Sequence, residues 1–120
     1  KEDIYIMFIG YDPWHIDDSL LREFRSAFGD NCMIPVRQGV GTLSGPMKEL
    51  KAELEMDNIV YDNNPIDKWC LANTQVKTDI NGNIQPIKGV DSRNRIDGTM
   101  ALIDGYVVLK NKYDEYTSLI

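Results

Sequence analysis

An uninterrupted apolar segment near the start of the chain constrains the fold class. Residues Ile4 to Ile9 include no charged or amide side chain, so both faces of a strand built from them are apolar. Such a strand is typical of the interior of an α/β sheet, where helices cover both faces. We therefore predict a strand over Ile4 to Ile9 in the interior of a sheet.

The residues after this strand place an acid at its carboxyl end. Pro13 cannot continue a hydrogen-bonded ladder, so the strand must end at or near Asp12. Open α/β sheets bind ligands at the carboxyl ends of their strands, which makes Asp12 a candidate functional residue. A plain Asp-Pro turn that ends a strand is the alternative interpretation.

A helix and a second strand come next, and they predict a βαβ unit. The segment from Asp17 to Phe28 carries a helical apolar stripe, and Gly29 is a typical stop signal. Residues Cys32 to Val36 predict a short strand, which Pro35 places at a sheet edge or a bulge. Strands connected through a helix are expected to be parallel.

The middle of the chain predicts a loop followed by a helix. The glycine-rich segment from Gln38 to Gly45 lacks the pattern of a phosphate-binding loop, so it predicts a loop without a nucleotide site. Pro46 is expected at the first position of the helix that follows, where its missing N–H costs nothing.

A second helix and a hairpin are predicted beyond this point. Asn64-Pro65 is expected to cap a short helix in which Trp69 belongs to the core. Residues Val76 to Ile87 predict a β-hairpin, because Asn81-Gly82 suits a type I′ turn.

The segment from Ser92 to Tyr106 predicts a helix that places a carboxylate beside a buried face. Asp91 or Ser92 can cap its first turn. The apolar stripe consists of Ile96, Met100, Ile103 and Val107. Asp97 lies next to this stripe, and Gly98 after it costs about 1 kcal/mol relative to Ala inside a helix. The pair suggests close approach of metal ions or a phosphate backbone; the alternative is a first-turn acid favoured by the helix dipole.

The charge distribution limits the possible functions. A net charge of −6 argues against a nucleic-acid binder that relies on electrostatics alone, but not against an acidic nuclease that uses metals. A locally basic region predicts phosphate contacts near Asp97, with solubility as the alternative explanation. That region consists of Lys77, Lys88, Arg93 and Arg95.

Length and cysteine content indicate one domain of a reducing compartment without a membrane partner. The 120 residues are enough for a single domain over 1–120. Cys32 and Cys70 lie in apolar stretches and predict buried free thiols rather than a disulfide. The sequence shows no apolar run of membrane-spanning length and no secretory signal pattern.

Five short motifs in a fixed order resemble a known protein family. They are Tyr11-Asp12-Pro13-Trp14, Pro46-Met47-Lys48-Glu49-Leu50, Asn64-Pro65-Ile66 followed by Trp69, Asn81-Gly82-Asn83-Ile84, and Arg95-Ile96-Asp97-Gly98 followed by Ala101-Leu102. Together they resemble the C-terminal nuclease domain of the large terminase subunits of tailed bacteriophages, the proteins of the DNA-packaging motor. The resemblance spans nearly the whole chain.

This resemblance implies a fold and a set of acidic residues. The fold is α/β and RNase H-like, with a mixed sheet flanked by helices. The implied activity cuts concatemeric viral DNA with two Mg²⁺ or Mn²⁺ ions held by three acids, of which the second corresponds to Asp12 and the third to Asp97. The first acid is implied upstream of Lys1, together with the N-terminal strands of the sheet and an ATPase domain. The chain would then be the C-terminal part of a terminase nuclease domain.

The chemistry of the two aspartates agrees with this expectation. Two metals about 4 Å apart can supply an activated water and neutralise charge during phosphodiester hydrolysis. Hard cations prefer carboxylate oxygens, and Asp104 is a further candidate ligand, about 10 Å from Asp97 along the helix. His15 is interpreted as incidental. The implied partners are double-stranded DNA and, in the full-length protein, the terminase small subunit and the portal protein, in the cytoplasm of the bacterial host.

Two alternatives stay open at this point. The first is another RNase H-like nuclease, of the resolvase or transposase type. The second is a non-catalytic module that grips DNA or a motor partner. Binding of Mn²⁺ through Asp12 and Asp97 is expected of a nuclease and is not required of a docking module.

Overall fold

The first part of the fold is the predicted βαβ unit. In the computed structural model, which describes residues 5–91 and 93–120, strand β1 (Ile9–Tyr11) leads through helix α1 (Asp18–Phe28) to strand β2 (Met33–Pro35). The side chain of Asp17 caps α1 by accepting the Ser19 N–H at 3.2 Å. Strands β1 and β2 pair in parallel, with Ile9 opposite Met33, which confirms the predicted orientation.

The first strand is shorter than predicted and has one strand neighbour. Of the predicted range Ile4 to Ile9, only Ile9 belongs to β1, and Ile4 lies outside the described residues. The strand is short because its neighbour β2 is short. The Cys32 N–H donates to the Gly29 carbonyl at 3.3 Å, so the chain before β2 is in a turn and cannot pair with the residues before Ile9. Within the described ranges this sheet has two strands, so the predicted interior position is wrong there.

Helix α2 (Val40–Glu55) begins well before Pro46, which lies inside it. The prediction of a loop over residues 38–45 is therefore wrong from Val40 onward. Leu43, which is only 1% exposed, packs into the core, and the Ser44 hydroxyl accepts the Ile84 N–H at 2.9 Å. These tertiary contacts outweigh the poor helix propensity of the glycines in this segment.

Helix α3 (Pro65–Asn73) begins where the sequence predicts. The Asn64 side chain accepts the Ile66 N–H at 2.8 Å and caps the first turn. The placement of Trp69 in the core is wrong, because this residue is 45% exposed. The adjacent Cys70 is the buried residue of α3 and faces Gly98 instead.

The cap of α3 can be tested directly. We expect Asn64→Ala to lower the free energy of unfolding by about 1 kcal/mol, because it leaves a first-turn N–H without its acceptor. Asn64→Ser is the matched control, since a hydroxyl can accept the same bond and should stay close to the parent. Urea denaturation measures both, and equal stability of the Ala and Ser variants would contradict the role of the cap.

The predicted hairpin is present, but its turn differs. Strand β3 (Gln75–Thr78) pairs antiparallel with β4 (Ile84–Ile87). The Asp79 carboxylate accepts the N–H groups of Asn81 and Asn83, each at 2.9 Å. Gly82 has a φ of 80°, whereas Asn81 is not in the positive region, so the type I′ turn, which needs both, is not formed.

Helix α4 (Asp97–Asn111) is the main packing partner of the other elements, and helix α5 (Tyr113–Thr117) follows it. The predicted cap at Asp91 is wrong, because its carboxylate accepts the Arg93 N–H at 3.0 Å in a turn before the helix; the alternative cap, Ser92, lies outside the described residues. The buried core comprises Val36, Leu43, Met47, Leu50, Ile103, Val107 and Val108. This confirms the burial of Ile103 and Val107.

Two further expectations concern the cysteines and the membrane. Both cysteines are buried free thiols, as predicted. In residues 5–91 and 93–120, each helix is too short or too polar to traverse a lipid bilayer.

Candidate active site

Helix α4 crosses β1 at Gly10, and this contact builds the site. A Cβ at Gly10 would lie 2.8 Å from Val108 Cγ2 and 3.0 Å from the backbone oxygen of Asp104, so only a glycine fits. Residues before Gly10 border a groove with the later part of α4, including Leu109, and with Lys112 after it. Strand and helix are therefore antiparallel, and the chain beyond Gly10 runs toward the beginning of α4.

Asp12 follows β1 and is held in a tight turn. Its Oδ1 accepts the Trp14 N–H at 2.9 Å, and its Oδ2 lies 2.6 Å from Nδ1 of His15. Burial opposes ionisation, but the hydrogen bonds from His15 and Trp14 and the electrostatic effect of His15 outweigh it and lower the pKa of Asp12. His15, interpreted as incidental from the sequence, thus contacts the candidate carboxylate.

Asp104 approaches this turn from α4. It is 8% exposed, and its Oδ1 accepts a hydrogen bond from Gln38 Nε2 at 3.1 Å. The same amide nitrogen donates to the Val36 carbonyl at 2.7 Å. Gln38 therefore ties the carboxylate on α4 to the carboxyl end of β2.

The charge of Asp12 acts on the Asp104 carboxylate. Burial raises the pKa of Asp104, the negative charge of Asp12 raises it further, and the hydrogen bond from Gln38 acts in the opposite direction. Because Asp12 has the lower pKa, it ionises first and opposes ionisation of Asp104. A pair of this kind favours a cation between or beside the two groups.

Asp97 occupies a different position. It is exposed, it is the first residue of α4, and it borders an open surface pocket with Lys88 and Arg95. Two helical turns, a rise of about 10 Å, separate it from Asp104. Asp104, in contrast, belongs to the part of α4 that packs against Gly10, two residues before Asp12, and the charge of Asp12 acts on it.

The four predicted DNA-contacting residues border different surface features. Lys88 and Arg95 border the pocket that contains Asp97, whereas Lys77 borders a separate one with Asp79. Arg93 makes an ion pair with Asp91 at 3.1 Å.

A metal centre with three protein ligands is not formed by the described residues alone. Across ranges 5–91 and 93–120, no cluster of three or more His, Cys, Asp or Glu side chains is arranged to hold a metal ion. The site that is formed has two carboxylates, with Gln38 and His15 beside them. Gln38 was missed in the sequence, although it lies two positions after a predicted strand, where the rule that selects Asp12 also applies.

Comparison with known proteins agrees with this architecture. Residues 2–112 match the family model described as terminase large subunit, endonuclease domain. Protein YmfN of Escherichia coli (strain K12) is 42% identical over 72 residues, covering 58% of this chain and 16% of that protein. The crystal structure of the HK97 bacteriophage large terminase superposes with a TM-score of 0.65 at 20% identity, covering 82% of this chain and 20% of that one.

These matches identify the fold and show how much of each matched protein the chain covers. The chain spans a fifth or less of the two proteins that it matches. The similarity to the large terminase confirms the predicted mixed α/β fold of the RNase H-like type. Since the family model covers nearly all of the sequence, the chain belongs to the family of terminase large subunit endonuclease domains.

Proposed function

We propose that this chain is one domain, the C-terminal part of a terminase nuclease domain, and that it takes part in metal-dependent hydrolysis of double-stranded viral DNA during packaging. The observation that supports the proposal is the packing of α4 against Gly10, together with the electrostatic effect of Asp12, which follows β1, on the buried Asp104 of α4. A fold that holds two carboxylates close together incurs electrostatic repulsion, which a bound cation relieves. Membership of the endonuclease family makes phosphodiester hydrolysis the matching reaction.

The donor atoms fit a hard divalent cation. Asp12 and Asp104 supply carboxylate oxygens, the ligands that Mg²⁺ and Mn²⁺ prefer. When bound, such cations lower the pKa of water and neutralise charge on the phosphate. Gln38 holds the Asp104 carboxylate in place, and His15 does the same for Asp12.

Asp97 has a separate place in this proposal. Because α4 runs antiparallel to β1, its first residue, Asp97, lies on the same side of the crossing as Asp12. The side chain of Asp97 is exposed, so DNA could reach it. The family resemblance implies that it corresponds to the third acid of the two-metal site. Lys88 and Arg95 beside it are proposed to contact the phosphates on either side of the cut.

The remaining parts of the proposal concern the longer protein. The terminase small subunit and the portal protein are proposed as its partners, and the bacterial cytoplasm as its location. We propose that the first acid lies upstream of Lys1, because the resemblance implies three acids and the described residues supply no third carboxylate at the site. We therefore expect the chain alone to cut DNA slowly.

A plasmid-nicking assay tests the proposed activity. Supercoiled DNA is incubated with Mn²⁺ and either the chain alone or the chain preceded by the segment encoded upstream of Lys1. We expect faster nicking by the longer form, none in EDTA, and at least a 100-fold loss in Asp12→Asn, which removes a charged ligand without changing shape. Asp30→Asn, at an exposed loop position, is the control. Parental nicking by Asp12→Asn, or metal-independent nicking, would contradict the proposal, and the absence of nicking by both chain lengths would favour a docking module.

A further inference from the structure

Trp14 presents an exposed indole at the edge of the candidate site. The residue is 82% exposed, although Trp is among the side chains that gain most from burial. It lies two positions after Asp12. A large aromatic ring exposed beside a reaction centre is a candidate contact for the substrate.

The position of Trp14 is fixed by the site itself. Its backbone N–H donates to Asp12 Oδ1 at 2.9 Å, and the next N–H, that of His15, donates to the Asp12 carbonyl at 3.3 Å. Pro13 between them has a restricted φ. The indole is thus attached to a backbone position that moves with the Asp12 carboxylate.

We infer that Trp14 stacks on an unpaired nucleobase next to the phosphate that is cut. This inference rests on the proposed function. Two residues of chain span at most about 7 Å and less in a turn such as this one, whereas successive bases of a DNA strand are about 3.4 Å apart. A base that adjoins a phosphate held at Asp12 is therefore within reach of the indole.

The chemistry defines the class of substrate. In an intact duplex both faces of each base are covered by neighbouring bases, so an indole can stack only on a base that has left the helical stack. Stacking on an aromatic side chain tolerates any base. Trp14 thus favours DNA with unpaired nucleotides at the cut, such as a gap or a frayed end, without reading sequence.

Fluorescence provides a test that does not depend on cleavage. The chain has two tryptophans, so Trp69→Phe leaves Trp14 as the reporter. The probes are a duplex with a three-nucleotide gap and the intact duplex of the same sequence, at low salt with Ca²⁺ present. We expect the gapped duplex to quench the fluorescence of Trp14 and to bind more tightly than the intact one.

Substitutions then separate stacking from other effects. In the parental background, measured by anisotropy of labelled DNA, Trp14→Ala should weaken binding of the gapped duplex about 5- to 150-fold and change binding of the intact duplex by less than twofold. Trp14→Phe should keep most of the affinity, since it keeps an aromatic face. Ile80→Ala, at an exposed position of the hairpin turn, is the control.

The outcomes distinguish this inference from the proposed function. Equal binding of gapped DNA by Trp14→Ala and the parent, or no binding of gapped DNA at all, would overturn the stacking and leave the indole available to a protein partner. Asp12→Asn keeps an oxygen acceptor for the Trp14 N–H, so it should retain quenching while losing nicking. Quenching without any metal-dependent nicking, in both chain lengths, would overturn the proposed function and leave the stacking intact.

Discussion

Replacing Gly10 by Ala is expected to lower the free energy of unfolding by about 1–3 kcal/mol. The added methyl would lie 2.8 Å from Val108 Cγ2 and 3.0 Å from the Asp104 carbonyl oxygen. The first neighbour is a core side chain and the second is helix backbone, so α4 must move away from β1 to accommodate it. The same movement would separate Asp104 from Asp12.

Gly105 provides a matched control on the same helix. A Cβ there meets nothing within 4 Å, so Gly105→Ala adds no clash and removes the helix penalty of glycine. We expect it to raise the free energy of unfolding by up to about 1 kcal/mol. Urea denaturation of both variants measures the difference, and a Gly10→Ala variant as stable as the parent would show that β1 and α4 do not pack as described.

Local signals predicted the elements whose ends depend on local contacts. The predicted cap at Asn64 and the predicted stop at Gly29 lie where α3 begins and α1 ends. The parallel pairing of β1 with β2 also followed from the order of the elements. For the cap and the stop, the deciding interactions lie within a few residues of one another.

Tertiary packing decided the elements that were predicted incorrectly. The early start of α2 depends on burial of Leu43 among residues distant in sequence. Trp69 is exposed because α3 turns Cys70, rather than its neighbour, toward Gly98. The spacing of apolar residues shows neither the early start of α2 nor which residue of α3 is buried. In α3, the neighbours Trp69 and Cys70 fit an apolar helix face equally well.

Of the two carboxylates at the candidate site, local sequence signals place only Asp12. Pro13 marks the end of a strand, and this local signal is enough to place Asp12 at a ligand-binding edge of the sheet. Which acid of α4 lies beside it depends on where the helix crosses the strand, and the contact at Gly10 sets that point. Gln38 is positioned by the same crossing, since it spans from β2 to α4.

Asp104→Asn is expected to change stability in opposite directions without and with metal. Without metal, the substitution removes a buried charge beside Asp12 while its amide oxygen can still accept from Gln38. The pKa of Asp104 is raised by burial and by Asp12, so its ionised form costs stability above that pKa, and the cost is relieved as pH falls through it. The variant should therefore be more stable than the parent at pH 7, with a difference that shrinks toward pH 4.

With metal, the order should reverse. A cation that binds only the folded chain stabilises the parent by about 2.7 kcal/mol at 100 times its dissociation constant. Asp104→Asn loses a charged ligand and should lose this gain. Asp12→Asn should lose it as well, whereas Asp30→Asn, at an exposed position away from the site, should keep it.

The melting temperature at pH 7, recorded over a series of Mn²⁺ concentrations, tests most directly whether Asp12 and Asp104 form a cation site. We predict a rise with Mn²⁺ in the parent and in Asp30→Asn, a smaller rise in Asp97→Asn, and none in Asp12→Asn or Asp104→Asn. A full rise in Asp104→Asn together with its loss in Asp97→Asn would contradict this assignment and make Asp97 the partner of Asp12.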